Sequence, residues 1–164
     1  MGLFSKKRKV SAEEMALDMM HVATATVGKL KAFNDVDDLR SMAVSLGYFY
    51  GFLRLNLACA ASLATANTVI AKSINNLEEA VKGKPEFANF GSTVRTIAKD
   101  ATENMRYAMK ELGKDPFMGM AVFYLKDLYN TTALDISKMD VAESNMRFLY
   151  GQTSNITSNI KIVN

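Results

Sequence analysis

The residues that could do chemistry are few. The single histidine, His21, stands in Asp18-Met19-Met20-His21 with Glu14 one turn earlier, and carboxylate-x-x-histidine spacing puts two metal ligands on one helical face. That face lies opposite Met15 and Met19, so a solvated histidine paired to Asp18 or Glu14 is the expectation rather than a metal ligand. One histidine also excludes His-rich zinc sites and two-histidine di-iron sites. Eleven methionines, among them Met15, Met19, Met20, Met105, Met118 and Met146, offer soft thioether ligands, but not at ligand spacing. They read as adaptable core filler. Asp35-Val36-Asp37-Asp38 starts like a calcium loop, yet Arg40 stands where the loop needs glycine and Leu46 where it needs glutamate. The segment reads as a helix cap. No serine has a histidine at triad spacing, and no glycine loop of nucleotide-binding type is present. The six tyrosines read as half-buried rim residues. No cofactor, metal or catalytic residue is expected, and the chain is read as a non-enzyme.

Cys59, with Leu57, Ala58, Ala60 and Ala61 around it, reads as a small buried hydrophobe; a lone cysteine forms no internal disulfide, which points to a reducing, cytoplasmic setting. The formal charge of +3 is uneven. Lys6, Lys7, Arg8 and Lys9 account for four of the 20 basic residues, leaving 16 against 17 acidic residues, a net of −1, for the rest. A nucleic-acid reader normally carries its basic stripe on the folded body, so any electrostatic role falls to this arm, which could touch nucleic acid or an anionic membrane. The same four residues with Val10 resemble a nuclear import signal, and Met1-Gly2-Leu3-Phe4-Ser5-Lys6 approaches an acylation signal without its serine or threonine. The basic cluster runs into Ser11, Glu13 and Glu14 rather than an apolar stretch, so it does not read as a secretory signal.

These residues must be positioned by helices. Only Pro85 and Pro116 interrupt the chain, and apolar residues recur at three and four. The spacing predicts an all-α, up-down helical bundle of four segments over residues 11–150, flanked by a flexible basic arm (1–10) and a polar flexible tail (151–164). Ser11 and Glu14 form a capping box for the first helix, which runs to about Asn34. Asp35, Asp37 or Asp38 caps the second, which reaches toward Val81 before Gly83. The third spans Pro85 to Leu112, and the fourth runs from Pro116 through Ile136 to Tyr150, ended by Gly151.

The second segment is unusual because residues 39–74 are apolar on more than one face. One stripe runs Leu39, Met42, Leu46, Phe49, Leu53, Leu57; an offset stripe runs Tyr48, Phe52, Leu55, Cys59, Leu63, Ile70. A continuous helix of about 45 residues would be roughly 65 Å long, more than its shorter neighbours can cover. Three outcomes follow: a central buried helix, broken near Gly47, Gly51 or Asn56 to give five helices; a long helix whose second stripe covers another copy; or membrane insertion, opposed by Arg54 and Asn56 at its middle. The two glycines most simply mark a tight helix crossing. The functional expectation is an adaptor, scaffold or assembly subunit that self-associates through residues 39–71, using Tyr48, Phe52, Leu55, Leu63 and Ile70. Its protein partner is unspecified. The alternatives are nucleic-acid or anionic-membrane binding through Lys6, Lys7, Arg8 and Lys9, with membrane-peripheral placement in the latter case, and, more distantly, carriage of an apolar ligand in a Met-rich interior.

Overall fold

The computed structural model describes residues 7–111, 113 and 115–163. Most of them are helical. A strand β1 (Arg8–Ser11) leads into α1 (Ala12–Val27); α2 (Asp38–Ala60), α3 (Leu63–Ala80), α4 (Phe90–Glu111), α5 (Phe117–Tyr129) and α6 (Met139–Asn159) follow, and β2 (Ile160–Val163) closes the chain. The capping box forms as read: Ser11 Oγ accepts from Glu14 N at 3.1 Å and Glu14 Oε2 accepts from Ser11 N at 2.8 Å. Asp37 is the cap chosen for α2, accepting from Arg40 N at 2.9 Å.

The all-round apolarity of the second segment is explained by α2, which is buried at every position from Ala43 to Leu53. It packs against all five other α-helices. A helix surrounded on every side needs no polar face. Gly47 and Gly51 do not break it. A Cβ on Gly47 would lie 2.4 Å from Ile97 Cγ2, and one on Gly51 would lie 2.8 Å from Ala101 Cβ and 2.9 Å from Ala98 O. The missing side chains therefore let α4 approach the α2 backbone, as expected for a tight crossing.

The long apolar second helix is not formed. It divides at Ala61–Ser62, because Ser62 turns to an extended conformation (φ −159°, ψ 161°) and caps α3 by accepting from Thr65 N at 3.1 Å. Other boundaries also move. α1 stops at Val27, α4 starts at Phe90 after a short 3-10 turn at Pro85–Phe87, and the fourth segment divides after Asn130, whose left-handed backbone (φ 48°) closes α5. Ile136, placed on the apolar stripe by periodicity, instead begins a short 3-10 turn (Ile136–Lys138) between α5 and α6 and is 82% exposed. Gly151 does not end α6, which continues past it through Asn159 before β2, so the described part of the polar tail is helix and strand.

A chain of aromatic rings crosses the core. Phe33, Tyr124, Tyr48, Phe52, Tyr150 and Phe117 follow one another with centroids 6.3, 5.2, 6.1, 5.8 and 5.4 Å apart, all tilted or edge to face. Three tyrosines expected at the rim, Tyr48, Tyr50 and Tyr124, are instead fully buried. Each hydroxyl has a partner: Tyr124 with Ser45 at 2.8 Å, Tyr50 with Ser73 at 2.8 Å, and Tyr48 donating to Asp127 Oδ2 at 2.7 Å. A buried phenol with a hydrogen-bond partner is compatible with the core.

Candidate functional site

The first and last described elements meet. β1 and β2 pair in parallel, with Arg8 opposite Ile160, Lys9 opposite Lys161, Val10 opposite Ile162 and Ser11 opposite Val163. A parallel pair requires a long crossover, and here the crossover is all six helices. Val10 anchors the ribbon: it is buried, beside Met15 and Met19 of α1. Ile160 and Ile162 pack against the same core from β2.

Beside the ribbon lies a cleft of about 540 Å³. One wall is β2 of the ribbon, through Ile160, Lys161 and Ile162, together with Lys7 just before β1; the other is the corner between α2 and α3, through Leu57, Ala60, Ala61, Ser62 and Thr65. Thr157 of α6 completes it. The corner is exposed over residues 59–64, Cys-Ala-Ala-Ser-Leu-Ala, a short apolar rim of mostly small side chains. Cys59 belongs to this rim, so it is exposed rather than buried. Among the described residues the cleft's lining contains two lysines and no carboxylate. Electrostatically it favours anionic groups.

The arm and stripe residues separate on this framework. Lys6 lies outside the described residues. Lys7, just before β1, and Lys9, within it, are exposed, and Arg8 turns back to Asp18 at 3.5 Å. Asp18, which the spacing offered as a companion to His21, is thus engaged by a cation, and His21 is exposed at the edge of a second hollow. Among the described residues no group of three His, Cys, Asp or Glu side chains converges as a metal site. Tyr48, Phe52 and Ile70 face the interior, Leu55 is half-buried, and Leu63 stands exposed at the start of α3, at the α2–α3 corner. The expected interaction stripe therefore reaches the surface mainly at the α2–α3 corner. Among the described residues no helix is long and apolar enough to cross a membrane.

Two other polar clusters stand apart from the cleft. Asp127 accepts from Tyr48, and Arg40 donates to the backbone carbonyls of Leu128, at 2.6 Å, and Asp127. Burial pushes the Asp127 carboxyl above its ordinary range, against the lowering effect of the Tyr48 hydrogen bond. Burial likewise pushes Tyr48 well above the ordinary phenol value, and Tyr50 and Tyr124 up to about 12. The second cluster joins two loops: Lys138 pairs with Asp35 and, at 3.6 Å, with Asp135, and lies 4.1 Å from the centre of the Tyr129 ring. Its hydrogen bond to Asp35 raises Lys138 and lowers Asp35. Both clusters link neighbouring elements and are internally satisfied.

The ribbon is the part of the site that sequence reading missed. Its signal was short: Ile160-Lys161-Ile162-Val163 alternates apolar and polar only at its start, and its partner lies at the other end of the chain. Comparison with known protein families, curated proteins and solved structures finds no match.

Proposed function

We propose that the protein acts by binding another polypeptide, as a helical-bundle adaptor, scaffold or assembly subunit, and that the cleft between the ribbon and the α2–α3 corner is its contact surface. The carrying observation is the cleft itself: Ile160, Ile162 and Leu57 supply apolar surface, the small residues Ala60, Ala61 and Ser62 line the opposite wall, and Lys7 and Lys161 flank it. Apolar contact surface with a polar surround is the ordinary make-up of a protein-binding site. The adjacent strand edge adds backbone groups able to pair with a partner. The reading of a binding module rather than an enzyme is supported by the dispersal of the reactive groups: His21, Cys59 and Asp127 lie in three different places, and Asp127 is already engaged by Tyr48.

The test is selection of random displayed peptides on the wild-type protein, followed by measurement of each enriched peptide against Ala61→Arg. Ala61 is exposed on the cleft wall, so the long side chain should obstruct the cleft while leaving the core intact, which a melting curve checks. Enriched peptides are expected to lose at least about tenfold in affinity, equivalent to 1.4 kcal/mol. Peptides that bind both proteins equally, or a selection that enriches none, would contradict the proposal.

A further inference from the structure

Resting on that reading, we infer that the occupant of the cleft is an extended segment that alternates acidic and apolar residues and adds to β2 as a third strand. Three observations converge. The first is the edge. In a two-stranded ribbon β2 spends one edge on β1, and among the described residues no strand pairs with the backbone donors and acceptors of its other edge. Ile160, Lys161 and Ile162 all line the cleft although successive strand side chains point to opposite faces. Three consecutive residues can do so when the cleft runs along the strand's edge, where a third strand would lie.

The second observation is the far wall. Ala60, Ala61 and Ser62 leave room for a backbone to lie between the corner and β2. The third is charge. The register places Lys9 directly opposite Lys161, and like charges facing each other across a ladder are unfavourable. Lys7, which immediately precedes β1, lines the cleft with Lys161. Among the described residues the ion pairs involve none of these three lysines, whereas Arg8 between Lys7 and Lys9 has Asp18. Acidic side chains on an added strand would relieve this repulsion, while the alternating apolar ones would meet Ile160 and Ile162. Main-chain pairing then supplies affinity and the alternating pockets supply selectivity.

The experiment is a fluorescence-anisotropy titration of the full chain with a labelled peptide alternating glutamate and valine. Three comparison peptides carry glutamine for glutamate, lysine for glutamate, or proline for alternate valines. The glutamate peptide should bind, weaken with added salt, and bind at least about tenfold more tightly than the glutamine, lysine and proline versions. Lys161→Glu should reverse the preference toward the lysine peptide. Equal binding of the glutamine peptide would overturn the acidic assignment, and equal binding of the proline peptide would overturn strand addition; in either case library peptides that are lost on Ala61→Arg would still uphold the broader proposal. Duplex DNA or phosphatidylserine vesicles binding through Lys161 in place of the glutamate peptide would also overturn the inference.

Discussion

Asp127 shows how single residues in this protein are set by their surroundings. Its carboxyl is raised because burial penalises the charged form more than Tyr48 compensates. A group whose folded pKa lies above its unfolded value binds protons more readily in the folded state, so its contribution to stability falls as pH rises through that interval. Asp127→Asn keeps an oxygen for the Tyr48 hydroxyl and removes the charge. Its melting temperature should therefore exceed that of the wild type at pH 7, with the gain fading as pH falls to the ordinary carboxylate value of 3.8. A variant less stable than wild type at both ends of the range would contradict this account. His21 offers the opposite case. It is exposed, and replacing it with alanine should change unfolding free energy by less than about 0.5 kcal/mol in a denaturant titration. Its exposure was legible from helical spacing, whereas that of Cys59 was not: its neighbours are apolar, but they form the outer rim of a corner whose position depends on Ser62.

At the scale of elements, glycines separate by what they touch. Gly47 and Gly51 lie against α4, so Gly47→Ala and Gly51→Ala should each lower stability by about 1–3 kcal/mol, as overpacking does. Gly151 lies within α6 with nothing near its missing side chain, so Gly151→Ala should raise stability by about 0.5–1 kcal/mol. Denaturant midpoints of the three variants check both signs. Helical content, the Ser11–Glu14 box and the close crossing at Gly47 and Gly51 were all legible, since each depends on a local pattern. Segment divisions were harder to read. The α2–α3 break falls between alanines and a serine with no glycine or proline nearby, and the α5–α6 break uses Asn130 in a left-handed conformation. Meanwhile Gly151, a plausible stop signal, is carried through because α6 has packing partners on both sides of it: Leu149 before, and Thr153 and Thr157 after, are buried.

On the scale of the whole molecule, α2 serves as the common core of the helices, and β1 and β2 close over α1 as a parallel ribbon. The double apolar stripe was legible as a need for burial on every side, but the sequence alone left open whether neighbouring helices, another copy or lipid would meet it. Neighbouring helices meet it over Ala43–Leu53. The candidate site lay beyond local pattern because it joins residues 7 and 161 to residues 57–65, a combination that exists only once β1 and β2 pair. The central claim is that this cleft receives a polypeptide. The most direct test is an amide chemical-shift titration of the isotope-labelled protein with a peptide enriched on the wild type. The account predicts shifts concentrated at residues 57–65 and 160–162, together with slowed amide exchange along β2; shifts clustered elsewhere, with these residues unmoved, would contradict it.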